Sequence, residues 1–189
     1  FVVALDVVTP ASAGELVHLE GEAAQGFVHN YGTAGIIARA TVRLEPLQDW
    51  RGLYASFPDF SGALSVLRSL GRLTPLPRLV SADTPHVTAQ LPPDDAFPEG
   101  RSSLRMIADI ATVPEATALI EAAGGRIEDV REGANVSSAI SVLSYNHPIE
   151  WLQKSEPGVY FHVEVSGDAL VERIDAVHAV YPGGQLHIE

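Results

Sequence analysis

The chain has 189 residues, contains no cysteine and carries a formal net charge of −12 at pH 7. The lack of cysteine excludes disulfides and thiolate metal sites, and the negative charge disfavours binding to a nucleic-acid backbone. Hydrophobic residues make up 46% of the sequence, which predicts a packed core. No apolar run reaches the roughly 18 residues that predict a membrane span. These features predict a cytoplasmic protein, with no nucleic acid and no membrane involved.

The first 47 residues are predicted to form a small β-rich unit. Predicted strands cover residues 1–8, 15–19 and 37–46, because β-branched and alternating residues dominate there. A loop or short helix over residues 21–30 leads to the turn Gly32-Thr33-Ala34-Gly35, which opens directly into the last strand. The chain begins and ends within predicted strands, and we therefore expect it to be a piece of a longer protein.

From residue 48 onwards, three β-α-β units are predicted, with an extra helix between the second and the third. Predicted strands cover residues 53–57, 77–82, 104–110, 126–131, 159–165 and 185–188. Predicted helices cover residues 63–70, 113–123, 135–145 and 168–180, with Ser61 as the first N-cap and Pro148 breaking the third helix. This order predicts an α+β fold, in which ferredoxin-like repeats form an antiparallel sheet with helices on one face.

The turn Gly32-Thr33-Ala34-Gly35-Ile36-Ile37 resembles the G-T-x-G-I-I element that closes the FAD domain of the p-cresol methylhydroxylase/vanillyl-alcohol oxidase family. The resemblance implies that residues 1–47 end an FAD-binding domain whose N-terminal part is missing, and that residues 48–189 are the cap, or substrate, domain. It also implies FAD-binding roles for Gly32, Thr33, Gly35, Ile36 and Ile37. Glycine lets a backbone approach a ligand closely, because no Cβ is in the way. The alternative is a plain hairpin turn.

Alternation along the strands places a set of polar side chains on the sheet face opposite the helices. The residues on this predicted open face are Tyr54, Arg105, Asp109, Tyr160, His162, Glu164, His187 and Glu189. The face is either a solvated surface or, as the resemblance implies, a substrate wall. In the second case, Arg105 binds an anionic group and His162 and His187 accept a hydroxyl proton, while Tyr54, Tyr160 and Glu164 contact the substrate. We expect outward positions such as Arg105 to be replaceable with little loss of stability.

The segment Ser144-Tyr145-Asn146-His147-Pro148 is similar to a Y-N-H element of some flavin oxidoreductases of the same family. The similarity implies that Tyr145 and Asn146 bind substrate and that His147 is catalytic. The alternative is a helix that stops before a proline, with Asn146 and His147 as capping residues. No metal site is predicted, because the sequence contains no H-x-x-x-H, no cysteine pair and no carboxylate-rich calcium loop.

The resemblance implies an FAD-linked oxidase or dehydrogenase as the full-length protein. Its expected reaction is hydride transfer to flavin from a hydroxy acid, an alcohol or a sugar. The present chain alone is expected neither to retain FAD nor to be active. The alternative is a stand-alone ferredoxin-like module that binds or assembles without catalysis, although such a module would not need residues 1–46.

Overall fold

The structure is a computed structural model of the chain and describes residues 1–160, 167 and 169–188. The chain divides into two compact units, Phe1–Leu47 and Gln48–Glu189. Both units contain helices and one antiparallel sheet each, so the predicted α+β class is confirmed. No helix in the described part of the chain is both long and apolar enough to cross a bilayer.

The first unit is a three-stranded sheet with one short helix. Its elements are β1 (Val2–Val8), β2 (Val17–Glu20), α1 (Gly21–Gln25) and β3 (Ile36–Val42). The strand order is β2-β1-β3, so β1 is central and β3 lies at an edge. Leu5, Val7 and Ala24 form the buried core, whereas all seven residues of β3 are exposed.

The face of this sheet opposite the core carries charged side chains around His18. Nδ1 of His18 lies 2.6 Å from Oδ1 of Asp6, and Nε2 lies 3.2 Å from Oε1 of Glu20. Nη1 of Arg39 donates to Oδ2 of Asp6 over 2.8 Å. The hydrogen bond with Asp6 is the main cause that raises the pKa of His18, and the same bond lowers the pKa of Asp6.

We expect the stability of the first unit to fall as the pH rises through the pKa of His18. A raised folded pKa means that the contribution of His18 is complete below about pH 6.5, its unfolded pKa, and is lost above the folded value. Asp6 behaves oppositely, and its contribution is lost as the pH falls below about 3.9. NMR titration of the His18 ring checks this. Asp6→Asn should lower the pKa of His18, whereas Glu22→Gln, which removes a carboxylate elsewhere in the unit, should not. An unaltered His18 titration in Asp6→Asn would contradict the pairing.

Among its described residues, the second unit contains a five-stranded sheet with the order β7-β4-β6-β5-β8. Its strands are β4 (Trp50–Phe57), β5 (Leu79–Asp83), β6 (Ser102–Asp109), β7 (Arg126–Arg131) and β8 (His187–Ile188). Its helices are α2 (Phe60–Leu70), α3 (Pro85–Thr88), α4 (Val113–Ala122), α5 (Val136–Ser141), α6 (His147–Ser155) and α7 (Leu170–Val180). All neighbouring strands in this sheet are antiparallel.

Both faces of the second sheet are covered, so the prediction of helices on one face is wrong. The larger core joins strand residues such as Leu53, Phe57 and Met106 to side chains of α2, α4 and α7. On the other face, Tyr54 and Ile107 pack against Ile140 of α5 and against Ala96 of the segment before β6. This second, smaller core covers the face that alternation predicted to be open.

Two local predictions also need correction. Asp59 rather than Ser61 caps α2, since its carboxylate accepts from the backbone N–H of Gly62 over 3.0 Å. Pro148 does not break a helix but lies in the first turn of α6. Proline is tolerated there, because backbone N–H groups in a first turn have no hydrogen-bond partner within the helix. The short helix α3 was not predicted. Most of the predicted strand 159–165 lies outside the described residues.

Candidate functional site

A surface pocket in the first unit is lined by the residues around the paired-glycine turn. Its volume is about 350 Å³. Its lining residues are Phe27, His29, Asn30, Tyr31, Gly32, Gly35, Ile36 and Ile37. Four predicted FAD-binding residues, namely Gly32, Gly35, Ile36 and Ile37, are therefore brought together around one concavity. Thr33 is not among the lining residues.

Asn30 holds the loop that forms one side of this pocket. Its amide nitrogen donates to the carbonyl oxygen of Phe27 over 2.7 Å, and its amide oxygen accepts from the N–H of Gly32 over 2.8 Å. The Thr33 hydroxyl donates to the Asn30 carbonyl oxygen over 2.7 Å. Asn30 and Thr33 therefore shape the loop through hydrogen bonds within it. Sequence reasoning missed Asn30, although asparagine commonly stabilises turns in this way.

The same loop carries two aromatic residues in a strained backbone conformation. His29 has a φ of 56° and Tyr31 a φ of 54°, so both lie in the left-handed region. This conformation costs a non-glycine residue about 1–3 kcal/mol, and residues that adopt it are often found at ligand-binding sites. Their ring centroids lie 4.7 Å apart, and Tyr31 is 82% exposed. The loop thus presents a pair of rings beside the pocket.

Gly35 lies close to another part of the chain. A Cβ at this position would lie 2.7 Å from the carbonyl oxygen of Val8 and 3.2 Å from Cγ2 of Thr9. The chain itself, at the end of β1, therefore leaves no room for a side chain at residue 35. Gly32 differs, because no atom lies within 4 Å of its missing Cβ and only its φ of 77° favours glycine.

A buried polar cluster in the second unit contains two of the predicted catalytic residues. Nη2 of Arg105 donates to Oδ2 of Asp83 over 2.5 Å, and Nη1 donates to the Ser103 hydroxyl over 2.7 Å. Oδ1 of Asp83 lies 2.7 Å from Nδ1 of His187. The side chains of Arg105 and Asp83 are fully buried, and that of His187 is 10% exposed. The cluster therefore links β6, β5 and β8.

This arrangement overturns the prediction that Arg105 points outward and is free to bind an anion. Its charge is already matched by the carboxylate of Asp83. Burial alone would raise the pKa of Asp83, but the charge of Arg105 and the hydrogen bond from His187 outweigh it and lower that pKa. Asp83 therefore stays ionised beside Arg105. Sequence reasoning missed Asp83 because the predicted strand ended one residue too early, although Asp83 continues the alternation of Ser81.

The strand register places Tyr54 on the same face as this cluster. Tyr54 is directly opposite Arg105 on the neighbouring strand, and His187 is opposite Asp83, and residues opposite each other in an antiparallel pair share a face. Alternation therefore assigned Tyr54, Arg105 and His187 to a common face correctly. The face is buried rather than open, since Tyr54 and Arg105 are both 0% exposed.

Tyr145, Asn146 and His147 lie at the corner between α5 and α6. Tyr145 is 45% exposed and has a φ of 55°, and Nδ1 of His147 lies 3.2 Å from Oε2 of Glu150. The preceding residue, Ser144, is buried, and its hydroxyl lies 2.8 Å from that of Ser81. Because Ser81 also accepts from Arg105 over 3.3 Å, the corner is joined to the polar cluster.

The other predicted site residues are placed elsewhere or are not described. Asp109 caps a 3₁₀ turn by accepting from the N–H of Ala111 over 2.9 Å. The hydroxyl of Tyr160 donates to the carbonyl oxygen of Glu156. The positions outside the described residues are His162, Glu164 and Glu189. Within the described ranges, no three His, Cys, Asp or Glu side chains are grouped so that they could hold a metal ion.

No protein-family model matches the sequence, and no curated protein matches it. The resemblance to the p-cresol methylhydroxylase/vanillyl-alcohol oxidase family therefore stays a prediction that rests on the turn, the strand after it and the order of the elements.

Proposed function

We propose that this chain is part of a cytoplasmic FAD-dependent oxidoreductase that oxidises a hydroxyl-bearing small molecule by hydride transfer to flavin. One observation carries the proposal. The turn that resembles a flavin-binding element lines a pocket of about 350 Å³, together with the paired rings of His29 and Tyr31. Pockets for organic cofactors are mostly apolar, with a few polar groups that fix the orientation of the ligand.

The residues of the pocket fit one side of a planar flavin ring. Phe27, Ile36 and Ile37 supply apolar surface, Tyr31 supplies an exposed ring, and glycine leaves the backbone of residue 32 accessible. The lining residues include no lysine or arginine, so other residues must bind the FAD pyrophosphate. When bound, the flavin would accept the hydride, and the protein would bind and orient both reactants.

In this proposal the second unit is a ferredoxin-like cap that shapes the substrate site. Apart from the short helix α3 between β5 and β6, its elements β4, α2, β5, β6, α4 and β7 follow the order β-α-β-β-α-β, and the strands lie side by side as β7-β4-β6-β5. This order is typical of the split β-α-β arrangement. The same order also favours the second candidate function, a non-catalytic binding or assembly module. Flavin content separates the two, since such a module needs no cofactor.

We expect the chain to contact a flavin ring through the pocket but to bind FAD more weakly than about 1 µM. Riboflavin should shift the NMR signals of residues 27–37, because it carries the ring without the pyrophosphate. Tyr31→Ala should reduce these shifts by removing the exposed ring, whereas Leu44→Ala, which shortens an 86% exposed side chain of the same unit, should not.

The proposal is tested at full length by an absorbance spectrum of the natural gene product, before and after candidate substrates are added without oxygen. A flavin spectrum that bleaches with a hydroxyl-bearing compound supports it. A colourless full-length protein, or riboflavin shifts that fall outside the pocket, would favour the binding module instead.

A further inference from the structure

Residues 92–100, here called the flap, lie over the buried polar face of the second unit. Ala96 is 3% exposed and packs in the same core as Tyr54. The ring centroid of Phe97 lies 6.0 Å from that of Tyr54, and the guanidinium carbon of Arg105 lies 5.9 Å from the Phe97 ring. Two flap residues therefore cover two of the predicted site residues directly.

The flap is attached mainly by side chains. Its backbone hydrogen bonds are local turns, such as the one from the Phe97 N–H to the Asp94 carbonyl oxygen over 2.9 Å. Asp94 receives two hydrogen bonds from Arg131 on β7, one of 2.9 Å from Nη1 and one of 2.6 Å from Nη2. The Arg131 guanidinium carbon also lies 4.1 Å from the ring centroid of Tyr54. The bidentate Asp94–Arg131 pair, here called the latch, therefore joins the flap to β7. Segments with low local stability can open without unfolding of the whole domain.

Three buried side chains on this sheet face each have a polar atom without a hydrogen bond. Tyr54 and Arg105 contact the flap, whereas His187 lies two strands from Arg105, on β8. Nε of Arg105 and Nε2 of His187 make no hydrogen bond within the described ranges. The Tyr54 hydroxyl interacts with Arg131, which can only donate, so its own proton has no acceptor there. Buried polar atoms are nearly always hydrogen-bonded. A bound molecule with a polar oxygen would satisfy such atoms.

We propose that the flap opens to admit a small molecule bearing a neutral hydroxyl or carbonyl oxygen to the face formed by Tyr54, Arg105 and His187. In so far as this molecule is the substrate, the inference rests on the proposed function. The charges at this face favour a neutral molecule over an anion. Arg105 and Asp83 already neutralise each other, so a carboxylate would add an unmatched buried charge, which is costly. A neutral oxygen can instead accept from the Tyr54 hydroxyl and from Nε of Arg105. Burial raises the pKa of Tyr54, so its hydroxyl keeps the proton that it donates.

The latch is tested by hydrogen exchange of the whole chain. Asp94→Asn removes the charge from the latch, whereas Asp95→Asn makes the same change at the next residue, for which no hydrogen bond with Arg131 is described. Asp94→Asn replaces charge-assisted hydrogen bonds with weaker neutral ones, which should favour the open state about tenfold. Hydrogen exchange of residues 89–101 should therefore be about tenfold faster in Asp94→Asn and unaltered in Asp95→Asn. Equal exchange in the two variants would overturn the latch.

The site is tested with benzyl alcohol and benzoate, which share an aromatic ring and differ in charge. Benzyl alcohol should shift the NMR signals of the Tyr54 ring and the Arg105 Nε–H saturably, and with higher apparent affinity in Asp94→Asn, because more molecules are open. The proposed site would be overturned if benzoate alone gave a saturable shift, or if neither probe did. No flavin is used, so a failed riboflavin titration leaves this result standing, and the reverse also holds.

Discussion

Replacing Arg105 with methionine is expected to destabilise the second unit by about 3–5 kcal/mol. The substitution preserves most of the side-chain volume but leaves Asp83 fully buried without its cationic partner. Native domains are stable by only about 5–15 kcal/mol, so much of the stability of the unit would be lost. Urea unfolding followed by tryptophan fluorescence measures this selectively, because both tryptophans, Trp50 and Trp151, lie in the second unit.

Two further variants separate the loss of the partner from other effects. The double variant Arg105→Met/Asp83→Leu removes both charges and should regain much of the lost stability, since an apolar pair often replaces a buried ion pair at little cost. Arg126→Met removes a 64% exposed cation from its pair with Glu128, whose carboxylate still accepts from the Ser56 hydroxyl, and should cost at most about 1 kcal/mol. An Arg105→Met midpoint close to that of Arg126→Met would mean that Arg105 is solvated, as alternation alone predicted.

Replacing Gly35 with valine is expected to unfold the first unit. The added Cβ would lie 2.7 Å from a backbone oxygen and 3.4 Å from Cε1 of Phe27, so β1 and β3 must move apart. Overpacking of this kind costs about 1–3 kcal/mol, and a unit with a core as small as Leu5, Val7 and Ala24 has few kcal/mol to lose.

The measurement is the dispersion of backbone NMR signals from residues 1–47. These signals should collapse towards unfolded positions in Gly35→Val, while the tryptophan fluorescence of the second unit keeps its native spectrum. Ala34→Val enlarges the neighbouring, exposed residue and should leave the dispersion intact. If Gly35→Val remains dispersed, the approach of residue 35 to Val8 is not what selects glycine there.

Much of the second sheet could be predicted from the sequence because strand periodicity is local. Alternation alone assigned Tyr54 and Arg105 to one face, and the register between β4 and β6 agrees. What covers that face could not be predicted, because α5 and the flap reach it through contacts between distant parts of the chain. The role of Asp83 was missed for the same reason, since its partners lie 22 and 104 residues further along the chain.

The first unit shows the same limit at its paired glycines. The sequence identified the turn, and the pocket lies there. It did not show that Gly35 approaches Val8, because that contact depends on the pairing of β3 with β1. The aromatic pair of His29 and Tyr31 was also missed, since nothing in the sequence indicates that the residues on both sides of Asn30 have left-handed backbone conformations.

The position of β3 at a sheet edge also bears on how the chain behaves at high concentration. An exposed edge strand with apolar side chains offers its unpaired backbone groups to other strands, and natural proteins usually blunt such edges with charge. Ile36 is 72% exposed at the start of β3, and it also lines the pocket. A lysine at this position would suppress self-association but would place an ammonium group on the apolar pocket wall. Under the proposed function, solubility and binding of a flavin ring therefore make opposite demands on the same side chain.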